Sequence, residues 1–122
     1  MGKPYTALLA GRLRRGPIVA LAGGAATLPL TVSASYRHSF AAVEFYSDAQ
    51  GTNVVVPTAG TATFTLVSPL LPTKEHAVTG GVVSATDECI VSWSLNVTTV
   101  KAVMDAVVGA THCRIRFIGN IS

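Results

Sequence analysis

The sequence predicts an all-β fold: a single antiparallel β-sandwich, Ig-like or jelly-roll-like, or a small barrel, preceded by an extended, partly helical N-terminal arm. Three observations carry this expectation. From Thr27 onward apolar and polar residues alternate with period two, as half-buried strands require. Seven or eight such runs recur at short intervals with no βαβ pattern between them. A chain of 122 residues is long enough for one core and too short for two ordinary ones. The division expected is an arm over residues 1–27 and a sandwich domain over 28–122.

Within the arm, Tyr5, Leu8, Leu9 and Leu13 fall near one face of a helix over residues 5–15, which Gly16-Pro17 would stop. Ala20 to Ala26 is Ala/Gly-rich and reads as an extended tether. Leu28, Leu30, Val32 and Ala34 then share one parity of a strand. His38 to Ser47 follows with Phe40, Val43, Phe45 and Tyr46 as strand-forming bulk, and Asp48 to Gly51 is turn chemistry. Asn53 to Val56 is a short strand stopped by Pro57, and Thr58-Ala59-Gly60 bends into Thr61–Val67, where Ala62, Phe64 and Leu66 alternate with threonines. Two prolines exclude a central strand over Ser68–Pro72. The glycines at 80 and 81 suggest a bulge among Val78, Val82 and Val83, and Cys89 to Leu95 alternates around Trp93, a core or inter-strand anchor. Thr98–Val108 fits a strand or a helix. Strand is preferred, because Gly109-Ala110 reads as a hairpin turn into His112–Ile118, where Cys113, Ile115 and Phe117 oppose Arg114 and Arg116.

Composition narrows the function classes. Hydrophobic residues make up 49% and charged ones 12%, against about 25% charged in an ordinary soluble domain. Disorder is excluded, and apolar surface beyond one small core calls for self-association or a large partner. The +3 net charge is not spread evenly. Lys3, Arg12, Arg14 and Arg15 make residues 1–15 wholly basic, while the remainder carries five Lys/Arg against six Asp/Glu. With Tyr5 as its one aromatic, the arm suits an acidic protein surface better than nucleic acid. Its candidate partner-binding residues are Tyr5, Leu8, Leu9, Arg12, Leu13, Arg14, Arg15, Ile18 and Leu21. The same region imitates a secretory leader ending at Val32-Ser33-Ala34, although Pro17, Gly23-Gly24 and Pro29 interrupt its apolar stretch. The prolines and glycines also argue against a membrane span.

Chemistry-bearing residues form no recognisable set. Cys89 and Cys113 stand at apolar strand positions and read as buried thiols rather than a bridge. Adjacent His112 and Cys113 would point to opposite faces of a strand, so no zinc site is expected. The histidines His38, His76 and His112 lie in unrelated contexts, Asp87-Glu88 reads as a solvated turn, and no Gly-rich phosphate loop is present. No enzyme activity and no cofactor are expected.

Three runs, Val43-Glu44-Phe45-Tyr46-Ser47-Asp48, Pro57-Thr58-Ala59-Gly60-Thr61 and Gly109-Ala110-Thr111-His112-Cys113-Arg114, together resemble turn and strand motifs of small β-sandwich structural proteins of tailed-bacteriophage virions. The resemblance spans roughly residues 32–118. Ser68–Ala77 departs from it, lacking the glycine-and-aromatic hairpin such proteins carry, and the arm lies outside it. It implies an accessory virion protein, a capsid decoration or small tail or baseplate component present in many copies. Such a protein is assembled in the bacterial cytoplasm and binds neighbouring capsid, tail or baseplate subunits through its sandwich and arm. The rival expectation is an exported β-sandwich module for carbohydrate or a cell surface, with residues 1–34 as its leader.

Overall fold

Strand alternation wins throughout the described residues. The computed structural model describes residues 13–32, 36 and 38–120, and in them every regular element is a strand. These are β1 (Leu13–Arg15), β2 (Val19–Ala20), β3 (Ala26–Thr31), β4 (His38–Tyr46), β5 (Val54–Val55), β6 (Ala59–Val67), β7 (Glu75–Ser84), β8 (Ile90–Trp93), β9 (Thr99–Val108) and β10 (His112–Asn120). All pairings are antiparallel.

Two sheets form. In the larger, β10 lies between β4 on one side and β1 and β2 on the other, and β4 carries β8 and β5 along its far edge. The smaller runs β3-β9-β6-β7. Their facing sides build one core from Leu28 and Leu30 of β3, Phe64 and Leu66 of β6, Val100, Ala102 and Met104 of β9, and Ala41, Val43, Phe45, Ile115 and Phe117 opposite. Two of the expected alternations hold residue by residue, whereas the one expected over Cys89 to Leu95 ends at Trp93, the end of β8, and leaves Leu95 exposed. Ala62, Phe64 and Leu66 are buried, and so are Cys113, Ile115 and Phe117 while Arg114 and Arg116 are not. Trp93 is half-buried, its ring 6.1 Å from that of Phe117.

The glycine bulge is present. Gly80 takes a φ of 70°, and the β6–β7 register slips between Thr63 and Thr65. Residues 99–108 are the expected strand, with a second irregularity. Ala106 adopts φ 55° where the β6–β9 register shifts, which moves core contact from Met104 to Val107.

The structure corrects three expectations. Leu13–Arg15, the described end of the expected helix, is strand β1, registered Leu13 to Ile118 and Arg15 to Arg116. A strand there satisfies backbone groups along the outer edge of β10, which a short isolated helix could not do. Residues 1–12 lie outside the described residues. The tether over 20–26 is instead a tight reversal, with Ala22 and Ala25 exchanging backbone hydrogen bonds around Gly23 and Gly24, both at positive φ. Because residues 13–31 contribute β1, β2 and β3, no break in pairing falls between 27 and 28. Finally, Gly109-Ala110 joins β9 to β10 across the two sheets and so is a corner, not a hairpin. Gly109 at φ 97° packs against Pro57 and Thr58 of a second crossing, and the Thr58 amide donates to the Val108 carbonyl.

Candidate functional site

On the larger sheet, residues of one parity face the core and the other parity forms an outer face. Pairing registers place Leu13, Ile118, Phe40 and Ser92 in one row across β1, β10, β4 and β8. The next row is Arg15, Arg116, Ala42 and Ile90. Leu13, Phe40 and Ile90 are 46%, 48% and 49% exposed, so the rows hold a contiguous open apolar strip. Large apolar side chains clustered on a surface mark an interaction site, whereas scattered ones need no explanation.

The strip lines a shallow groove of about 200 Å³ formed by Leu13, Phe40, Ala42, Ile90, Arg116 and Ile118 among others. Ala42, Ile90 and Arg116 continue into a second groove of about 290 Å³, which reaches Val54, Val56, Pro57, Asp87 and Glu88 at the β5 and β8 border. The two grooves form one trough across the outer face.

Charge is polarised along it. At the β1 border Arg15 is exposed on the outer face and has no carboxylate partner among the described residues, while Arg14, registered with the core-facing Phe117, projects from the opposite side of this edge strand. Arg15 sits opposite Arg116, and the Glu44 carboxylate beside Arg116 offsets the repulsion between the two like charges. At the other border Asp87 and Glu88 are exposed and lack a cationic partner among the described residues. Between them Arg116 donates to Glu44 at 2.6 Å.

The remaining end of the outer face is closed. Tyr46 has outer parity but is only 1% exposed, and its hydroxyl donates to Glu44 Oε1 at 2.6 Å. Burial first, then this hydrogen bond, raises the Tyr46 pKa above the usual phenol value. Ile18 reaches over Gly51, where its Cδ1 occupies the space a Cβ would need and leaves the glycine against the Tyr46 ring. Arg114 Nε donates to the Gly16 carbonyl at 3.0 Å, tying the 16–21 segment to β10. The 47–53 loop is held by Asp48, whose carboxylate accepts from the Thr52 and Asn53 amides. The Thr52 hydroxyl contact, followed by the Asn53 amide, lowers the Asp48 pKa.

Of the expected partner-binding residues, Leu13 lines the trough and Arg15 shares its outer parity, whereas Arg14, registered with the core-facing Phe117, projects from the opposite side of the sheet edge. Ile18 helps close the Tyr46 end, and Leu21 packs against the core with its amide donating to Thr111. Tyr5, Leu8, Leu9 and Arg12 lie outside the described residues. Phe40, Ile90, Ile118, Val54 and Val56 did not emerge from the sequence as site residues. Their signal was an apolar side chain in a slot of solvent parity, as Ile90 is between Cys89 and Val91.

Beneath this face Cys89 and Cys113 are free and buried. They flank β4: Cys113 is registered with Phe45, and the Cys89 carbonyl accepts from the Val43 amide at 3.0 Å. Two strand spacings therefore separate them, roughly 9–10 Å, beyond the ~7 Å limit for a bridge. Burial pushes both thiols up to about 11. Among the described residues no group of three or more His, Cys, Asp or Glu could hold a metal ion, and no helix is long and apolar enough to cross a membrane.

Residues 18–122 match the model of a family described as a domain of unknown function, DUF7265, and the chain belongs to that family. No curated protein matches. A solved structure from the report "Bacillus endospore appendages form a novel family of disulfide-linked pili" is similar at 12% identity, with 89% of each chain covered and a TM-score of 0.35.

Proposed function

We propose that this member of the DUF7265 family is a structural subunit of an assembly, joined to its neighbours through the outer face of the larger sheet. The observation that carries this reading is the open strip of Leu13, Phe40, Ile90 and Ile118, bordered by Arg15 on one side and by Asp87 and Glu88 on the other, none of the three ion-paired among the described residues. Apolar surface supplies the adhesion, and the charged borders set orientation. The strand order, with each sheet taking four main positions and the chain crossing repeatedly between them, favours the jelly-roll-like form of the expected sandwich.

In its specific form the proposal is the accessory virion role implied by the sequence resemblance: a decoration or small tail or baseplate protein, without enzymatic activity, present in many copies. The exported-module reading removes residues 1–34, and these include β1, β2 and β3 with the core residues Leu28 and Leu30. The assembly reading keeps them. The test is sedimentation velocity over a wide concentration range, comparing the native chain with Phe40→Glu/Ile90→Glu. The native chain is expected to associate, and the variant to stay monomeric with an unchanged thermal transition. A native chain that is monomeric at every concentration and binds no particle protein would overturn the reading.

A further inference from the structure

We propose that the acidic end of the trough, between β5 and β8, receives residues 3–12 of a second copy of this chain. This deepens the assembly reading and rests on it. The receiving surface combines exposed apolar side chains, Val54, Val56 and Ile90, with Asp87 and Glu88. The entering segment, Lys3-Pro4-Tyr5-Thr6-Ala7-Leu8-Leu9-Ala10-Gly11-Arg12, carries three large apolar residues, two cations and no acid. Apolar surface meets apolar surface, and the carboxylates Asp87 and Glu88, which have no cationic partner among the described residues, meet a segment that carries cations and no acid.

The direction of β1 selects a second copy over the chain's own groove. Leu13 is registered with Ile118 and Arg15 with Arg116, so the Leu13 end of β1 is directed toward Gly119 and Asn120, at the His38 end of β4. The acidic groove lies toward the other end of β4, where Phe45 pairs with Val55. It is also displaced by three strand spacings, or roughly 14 Å, from the β1 border. To reach it within one molecule the segment must reverse at once and run back along the sheet. To reach a neighbour it continues outward, and ten extended residues span up to about 33 Å. Because donor and acceptor surfaces differ, the contact is heterologous and propagates from copy to copy.

Crosslinking tests this in the full chain. Leu8→Cys is combined with Val56→Cys, whose position is 69% exposed, so folding is preserved and is checked by circular dichroism. The native thiols are buried beneath the sheet. Mild oxidation is expected to give a ladder of covalent dimers and higher species on a non-reducing gel. Leu8→Cys with Val82→Cys, exposed on the other sheet, is expected to give none. Asp87→Lys/Glu88→Lys should reduce the ladder at least tenfold, and adding Lys3→Glu/Arg12→Glu should restore it. An intramolecular link only, an equal ladder from the Val82 control, or no link while the native chain still associates overturns the docking site and leaves the assembly reading standing. A native chain that never associates overturns both.

Discussion

The two ends of the outer face of the larger sheet share strands and parity, yet differ in what covers them. Tyr46 and Phe40 both project outward from β4, and one is 1% exposed while the other is 48%. The difference comes from other parts of the chain. Ile18, the Gly51 loop and the tie from Arg114 to Gly16 close over Tyr46, whereas nothing among the described residues closes over Phe40. A β-sheet face is therefore interior or interface according to what the connections bring to it. The uncovered end is where intermolecular contact is expected.

Replacing each aromatic by alanine should sharpen the contrast most. Tyr46→Ala removes a buried ring and leaves Ile18 unsupported, so chemical denaturation should show a loss of about 3–5 kcal/mol. Phe40→Ala should cost the monomer under about 1 kcal/mol while weakening association. Equal losses at the two positions would erase the distinction between the ends.

Much of the sandwich was legible because its signals are local. The alternation of Ala62, Phe64 and Leu66 with threonines, and of Cys113, Ile115 and Phe117 with arginines, fixes a face whatever the strands pair with. The site was not, since Leu13, Phe40, Ile90 and Ile118 become neighbours only through cross-strand registers among residues far apart in sequence. Arg15 was identified for its charge, but its place opposite Arg116 depended on a segment whose helical spacing misled. A three-residue edge strand has too few positions to show a period. Likewise Gly109-Ala110 carries turn chemistry that suits a hairpin and a corner equally, and only core closure decides between them.

The underside of the same sheet should behave alike beneath both ends, and its thiols report on that. For Cys89 and Cys113 the folded values of about 11 lie above the ordinary thiol value of 9.0, so between these the unfolded chain has lost protons that the folded chain keeps. Stability is full below pH 9 and falls as pH rises toward 11, by roughly 2–3 kcal/mol for each thiol. Denaturation of the native chain against Cys89→Ala/Cys113→Ala should show the steeper alkaline decline in the native chain. Identical slopes would mean that solvent reaches the inner face.

Glu44 stands at the boundary of the two ends, bonded to Arg116 and Tyr46. Both ion-pair partners are about a third exposed, so Glu44→Gln should cost only about 1 kcal/mol in thermal unfolding. Away from this face, Ala106→Gly relieves a left-handed backbone and should stabilise by up to about 1 kcal/mol, leaving association unchanged.

The central place of β10 has a consequence for synthesis. β1, β2 and β4 pair with β10 and not with one another, so the larger sheet has no continuous middle until the last strand of the sequence leaves the ribosome. At roughly 5–20 residues per second, several seconds or more pass between translation of β1 and of β10. During that interval Leu13 and Phe40 have no common scaffold. A nascent chain thus cannot bring Leu13, Ile118 and Phe40 into one row before β10 has been made.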